Sequence, residues 1–230
     1  MNTRHSFQAG HAASGAPPRF SRGGRVPPRP LGCDDVEFER LIRPAATLPA
    51  GRPGLHALLN AWDRLAGPIP EDRLRDGLRS LRIDRHALWN CVRFDEQSYQ
   101  RTRIHARDHY EVLVLCWRPG QGSPIHDHGG STCAVLVVEG AATEIGFMAT
   151  ACGKLAPSRS QRVDAGAVIV SRLRDIHQMA NLESEGTDLV SLHVFSPPLS
   201  GGRCYRLAET SLADQDALVD DPPTVWSAPI

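Results

Sequence analysis

From about residue 97 onward the chain is cut into short apolar runs, and this division constrains the fold more than any other feature. The runs are Glu111–Trp117, Ala134–Val138, Glu144–Met148, Ala167–Ser171 and Leu189–Phe195. Pro119-Gly120, Gly129-Gly130, Gly140, Gly153, Gly166 and Gly186 separate them. Runs of five to seven residues suit strands better than helices. Many short strands at this spacing predict a mainly β chain folded as a sandwich or barrel. No long internal repeat is visible.

Residues 54–92 have a different period. Leu55, Leu58, Leu59, Trp62 and Leu65 form one helical stripe. Pro68 and Pro70 end it. Glu71 and Asp72 suit the first turn of a second helix carrying Leu74, Leu78 and Leu81. Asp84 is placed to cap a third short helix running through Trp89. These apolar positions read as packing.

Composition narrows the function classes. The 230 residues hold 26 basic and 26 acidic side chains, so no basic excess marks a nucleic-acid binder. Lys154 is the only lysine, so 25 of the basic residues are arginine, a bias ascribed to codon usage. The apolar runs are far shorter than a membrane span. The first thirty residues contain no apolar signal region. Six cysteines in a chain of this size do not make a disulfide scaffold, so reduced thiols and a cytoplasmic location are expected. Residues 1–32, rich in Arg, Pro and Gly, are expected to be disordered. Residues 208–230, acidic and Pro-rich, lack a strand pattern and are expected to be a loosely attached tail.

The chemistry concentrates around Gly120-Gln-Gly-Ser-Pro-Ile-His126-Asp-His128. On a strand, residues two apart share a face, so His126 and His128 can both point into a barrel while Asp127 points away. His177 follows the run Ala167–Ser171, with Asn181 four residues later. A lone His-x-His is weak, but the wider spacing is specific. Gly120, His126, His128 and Gly140 resemble the first cupin motif; Gly166, His177 and Asn181 resemble the ends of the second. The resemblance implies a cupin double-stranded β-helix, a jelly-roll barrel. Its domains would be the 1–32 tail, a 33–95 helical region packed on the barrel, the 96–207 barrel and the 208–230 tail. Cys133 stands where the first motif usually has a ligating Glu, and Arg172 and Arg174 where the second has Pro and Gly. Three neutral ligands, His126, His128 and His177, would leave a divalent ion its full charge and an affinity for thiolate. Fe(II) would suit O2 chemistry, whereas Zn2+ would favour activating water.

Further segments resemble the cysteine dioxygenase family of thiol dioxygenases. They are Ser98-Tyr-Gln-Arg-Thr-Arg103, Leu115-Cys-Trp117, Ser123-Pro-Ile-His-Asp-His128, Ser131-Thr-Cys133 and Ser191-Leu-His-Val-Phe-Ser-Pro-Pro198. The resemblance implies Fe(II) on the three histidines, and O2 with a small thiol amino acid as reactants. Arg103 would grip the substrate carboxylate as a planar fork. Arg103, where mercaptopropionate enzymes have Gln, favours cysteine. Ser191 and His193 would support the site. Ser196-Pro197 matches a family peptide that is cis.

The departures are informative. Arg101 stands where the family commonly has Tyr, on the strand face of Tyr99 and Arg103. Its first reading is an ion pair with Glu111 or Asp108. Its second is a substrate-facing cation suited to an extra acidic group, as in mercaptosuccinate. Phe195 replaces the family tyrosine whose hydroxyl lies beside the metal, so no crosslink to Cys133 can form there. Tyr205 is the nearest tyrosine able to substitute. The leading expectation is oxidation of L-cysteine to cysteine sulfinate by a monomer or small homo-oligomer. One alternative is a divergent tailoring enzyme giving another product, including one with a sulfur–nitrogen bond. The other is a cupin holding Zn2+ or Ni2+ without redox turnover.

Overall fold

The computed structural model describes residues 54–151, 154–172 and 174–207, together with the backbone of 224–226. The expectation for residues 1–32 lies outside the described residues. Two helices open the fold, α1 (Leu55–Trp62) and α2 (Glu71–Ser80). The stripe Leu55, Leu58, Leu59 and Trp62 is buried, as are Leu74 and Leu78 of α2. Gly77 lets the two helices meet closely: a Cβ there would lie 2.5 Å from the Trp62 ring. The expected third helix does not form. Asp84 accepts from Ala87 N–H at 3.0 Å, but the next backbone bonds, Leu88 to Arg85 and Cys91 to Leu88, span three residues. That tighter winding leaves only a 3-10 turn, Trp89–Cys91.

The strands are β1 (Gln100–Arg107), β2 (Tyr110–Trp117), β3 (Ile125–His126), β4 (Thr132–Glu139), β5 (Ala141–Ala149) and β6 (Leu155–Asp164). They continue as β7 (Val168–Ser171), β8 (Ile176–Ala180), β9 (Leu189–Ser196), β10 (Gly202–Tyr205) and β11 (Thr224–Trp226). One antiparallel sheet has the order β1-β2-β9-β4-β7, the other β11-β10-β3-β8-β5-β6. This is the mainly β, double-stranded β-helix expected. The strand β11 falls in a segment without a strand pattern in its sequence, and it pairs with Gly202–Cys204. Among the described residues, no helix is long and apolar enough to cross a membrane.

Strand parity explains the continuous apolar runs. Val112, Val114 and Cys116 of β2, Ala134 and Leu136 of β4, and Val190, Leu192 and Val194 of β9 pack with the helices. The alternating positions Leu113, Leu115 and Trp117, Cys133, Val135 and Val137, and Leu189 and Phe195 fill the barrel. Both faces of this sheet are therefore buried, which removes the polar alternation of a solvated strand. Strand β6 shows the opposite case. It is mostly exposed, carries few apolar residues, and has no strand signal in sequence; pairing with β5 holds it. Gly140 makes the turn from β4 to β5 with φ +76, and a Cβ there would lie 2.3 Å from Asp188 O. The Ser196-Pro197 peptide is cis.

Candidate metal centre

His126, His128 and His177 converge, with one ligand atom from each lying within 4.8 Å of the others. Strand pairing brings two of them together, since His126 is the cross-strand partner of His177. The third arrives differently from expectation. Strand β3 stops at His126, so His128 sits in the following loop. Its ring nevertheless meets His177 edge to face at 4.8 Å, and the two Nε2 atoms are 3.1 Å apart. Asp127 points away as expected. It accepts from the Tyr205 hydroxyl at 2.7 Å and from Gly129 and Arg203 backbone N–H.

The hydrogen bonds select the tautomers that a metal requires. His126 Nδ1 lies 2.9 Å from Pro124 O, which only accepts, so Nδ1 carries the proton and Nε2 a lone pair. His177 Nδ1 lies 3.0 Å from Glu144 Oε1, with the same result. Burial holds His128 well below the ordinary histidine range and His126 at about 3, with His177 and Arg101 adding to the effect on His126. Both are therefore neutral donors near pH 7. The donor set is three imidazoles, and it fits a divalent ion.

Glu144 is a residue the sequence reading passed over. Burial pushes its carboxyl up, but hydrogen bonds from His177 and Gln161 and the charge of Arg159 overcome this and hold it at about 2. Ser171 Oγ also donates to it at 3.2 Å. The available signal was an acid at an inward position of an apolar strand.

Beside the histidines runs a second polar chain. Trp117 Nε1 donates to Ser191 Oγ at 3.0 Å, and Ser191 Oγ lies 2.9 Å from His193 Nε2. His193 Nδ1 faces Cys133 Sγ at 4.0 Å. Burial lowers His193, and Arg101 and the metal-site histidines lower it further. Burial pushes the Cys133 thiol up, so it is protonated. Cys133 is a free thiol directly across the ladder from Phe195. The Phe195 ring meets His128 edge to face at 5.5 Å and brings no hydroxyl. Tyr205 does not replace it, because its hydroxyl is committed to Asp127. Asn181 is structural, donating to Trp117 O and Thr187 O.

Glu111, one of the two acids expected beside Arg101, stands 3.9 Å from Arg103 NH1 and also accepts Leu199 N–H at 2.9 Å. Arg101 has its Nε buried, and its charge acts on Tyr99, His126, Cys133 and His193.

The family model "Cysteine dioxygenase type I" matches residues 79–208, more than half of the chain. The chain belongs to the cysteine dioxygenase type I family. Its three-histidine cluster is thus the metal centre of a cysteine dioxygenase-family cupin. Among curated relatives, "Cysteine dioxygenase type 1" of Danio rerio is 27% identical over 119 residues, covering 50% of this chain and 59% of that protein. The Homo sapiens protein of the same name is 29% identical over 111 residues, covering 46% and 55%. The chain therefore spans less than two thirds of these relatives' length. Among solved structures, a protein with a double-stranded beta-helix domain from Klebsiella pneumoniae aligns with TM-score 0.42 at 20% identity, covering 52% of this chain and 87% of its own. An rmlc-like cupin protein from Desulfovibrio desulfuricans aligns with TM-score 0.38 at 24% identity, covering 51% and 99%.

Proposed function

We propose that this family member is an Fe(II)-dependent dioxygenase of a small carboxylate-bearing thiol, with L-cysteine going to cysteine sulfinate as the reference reaction. The observation that carries this is a facing trio of histidine imidazoles with no carboxylate among them. Such a set leaves the ion its full positive charge, which favours an anionic sulfur ligand. Bound iron would supply the seat for thiolate and the activation of O2. The balance is thiol plus O2 giving sulfinic acid, with both oxygen atoms ending on sulfur.

The chain's own groups bind and orient. Arg103 and Arg101 face the substrate carboxylate from the interior side of β1. The Trp117-Ser191-His193 chain holds His193 in one tautomer beside Cys133. Phe195 keeps the region beside His128 apolar.

Phe195 and Arg101 favour one second reading, a tailoring oxidation of a related thiol to another product. The test is a product mass spectrum. Protein loaded anaerobically with Fe(II) is mixed with L-cysteine and then exposed to air. Cysteine plus two oxygen atoms supports the sulfinate reaction, and another cysteine-derived mass supports the second reading. Protein that retains Zn2+ or Ni2+ and consumes no O2 with any thiol would overturn both in favour of a non-redox cupin.

A further inference from the structure

Arg172 and Arg174, which stand where the second cupin motif usually has Pro and Gly, take no part in the thiol chemistry. They line a surface cleft of about 520 Å³ beside the β7–β8 turn, together with Arg75 of α2 and Arg159 of β6. Four arginines from three separate parts of the chain thus meet at one place. Two acids of the lining, Glu71 and Asp175, hold the cleft in shape. Glu71 pairs with Arg75 through one oxygen and accepts from Arg172 Nε at 3.1 Å through the other. Asp175 accepts the Arg172 backbone N–H at 2.9 Å. Arg174 is exposed, and among the described residues no acidic side chain lies within ion-pair distance of it. Arg159 is half-exposed and meets Glu144 Oε2 at 3.4 Å.

We propose that this cleft binds a doubly charged tetrahedral oxyanion, sulfate or phosphate, free or at the end of a small ester, and that its occupancy tightens metal binding in the barrel. The proposal rests on the three-histidine centre and is independent of the thiol reading.

The ligand class follows from the donors. A guanidinium presents a planar fork of N–H groups that matches the oxygens of such an anion. Four of these forks line the cleft against two carboxylates. Positive charge stays in excess even when Glu144, behind Arg159, is counted with the acids. Val170 and Ile176, both half-buried, give the cleft an apolar wall, where charge contacts are screened less than in open water. The link to the metal is two contacts long. Arg159 meets one oxygen of Glu144, and the other oxygen lies 3.0 Å from His177 Nδ1. An anion on Arg159 offsets its charge and leaves Glu144 more negative towards the imidazole, which makes His177 a stronger ligand. The direct attraction between the anion and a metal cation has the same sign. By linkage, the metal-loaded protein must bind the anion more tightly by the same factor.

The test is titration calorimetry of the full chain with sodium sulfate, at an ionic strength fixed with sodium chloride, on metal-free and Co(II)-loaded protein. Saturable binding is expected in both forms, roughly fivefold or more tighter with Co(II). Arg174→Gln should weaken sulfate binding roughly tenfold, the scale of one charge-assisted contact, and Arg174→Lys should restore part of it. Arg159→Gln should bring the two forms to the same affinity. Thermal melting of each variant separates these losses from misfolding. Inorganic phosphate and glycerol 3-phosphate, titrated into the metal-free protein, distinguish the source: tighter binding of the ester identifies an ester ligand, and tighter binding of phosphate the free anion. No saturable binding of sulfate, or binding unchanged by Arg174→Gln, overturns the site. Equal affinity in the metal-free and Co(II)-loaded native protein overturns its link to the metal. A gain with Co(II) that survives both Arg174→Gln and Arg159→Gln places the anion on the metal itself and overturns the proposal.

Discussion

Glu144 Oε1 stands 3.0 Å from His177 Nδ1, inside a barrel wall where both side chains are buried. The carboxylate fixes the imidazole tautomer and ring angle and increases its basicity as a ligand. Gly146 makes room for the arrangement. A Cβ there would lie 2.7 Å from Arg159 Nε, so the glycine lets Arg159 lie across β5 and reach Glu144 at 3.4 Å. Glu144→Gln should therefore weaken Fe(II) or Co(II) binding by roughly 10- to 100-fold. Competition with a chelator of known affinity reads this directly, and unchanged affinity would remove Glu144 from the metal centre.

In the proposed function Arg103 holds the substrate carboxylate, and a decarboxylated thiol isolates that role. Arg103→Ala should raise KM for L-cysteine by roughly tenfold or more, the scale of a charge-assisted contact. KM for cysteamine, which has no carboxylate, should stay nearly constant. Parallel increases for both thiols would show instead that Arg103 acts through Glu111 on the shape of the pocket.

Phe195 lies opposite Cys133 in the β4–β9 ladder. Phe195→Tyr places a phenol across the ladder from a free thiol, next to His128 of the three-histidine centre. After turnover with Fe(II), thiol and O2, a fraction of this variant should lose two hydrogens as a Cys133–Tyr thioether. Peptide mass mapping would show the linked pair. A variant that turns over without forming it would place the two side chains too far apart in solution.

Ser191 accepts from Trp117 Nε1 and contacts His193, all within the core. Ser191→Ala leaves the indole N–H buried without that acceptor, at a cost of about 1–3 kcal/mol. Trp117→Phe removes donor and demand together; after allowing for packing, it should lose less through polar terms. A double-mutant cycle read by chemical denaturation measures the coupling, and additive losses would contradict the hydrogen-bonded chain.

Asp63 gathers Tyr110, His105 and Arg107 at the end of α1, with Tyr110 Oη at 2.6 Å. Burial raises its carboxyl, but hydrogen bonds from Tyr110 and His105 and the charges of His105 and Arg107 outweigh that and leave it lowered. A lowered folded-state value means that its stabilisation is present above the ordinary carboxylate range. It is lost as pH falls through the folded value. Asp63→Asn should therefore lower stability at neutral pH and flatten its decline in acid. Denaturant midpoints at pH 7 and in acid test this, and parallel pH curves for both proteins would refute it.

Much of this architecture was legible in local patterns. The helical stripe Leu55, Leu58, Leu59 and Trp62 and the apolar runs of β2, β4 and β9 follow from periodicity, because burial acts on side chains at fixed spacings. The spacing of His126, His128 and His177 identified the metal centre because the ligand types themselves carry the chemistry. Strand β6 was not legible, since its pairing with β5 holds a solvated strand that burial does not mark. Other facts depended on atoms far apart in the chain. Only the β5–β8 pairing reveals that Glu144 supports His177. Only the tertiary structure decides that Glu111 stands beside Arg103, that Tyr205 answers Asp127, and that His128 reaches the centre from a loop. Sequence thus determined which groups exist and which faces they share within one element. The packing of two sheets decided which charges meet, because electrostatic and hydrogen-bond partners are chosen by distance in space.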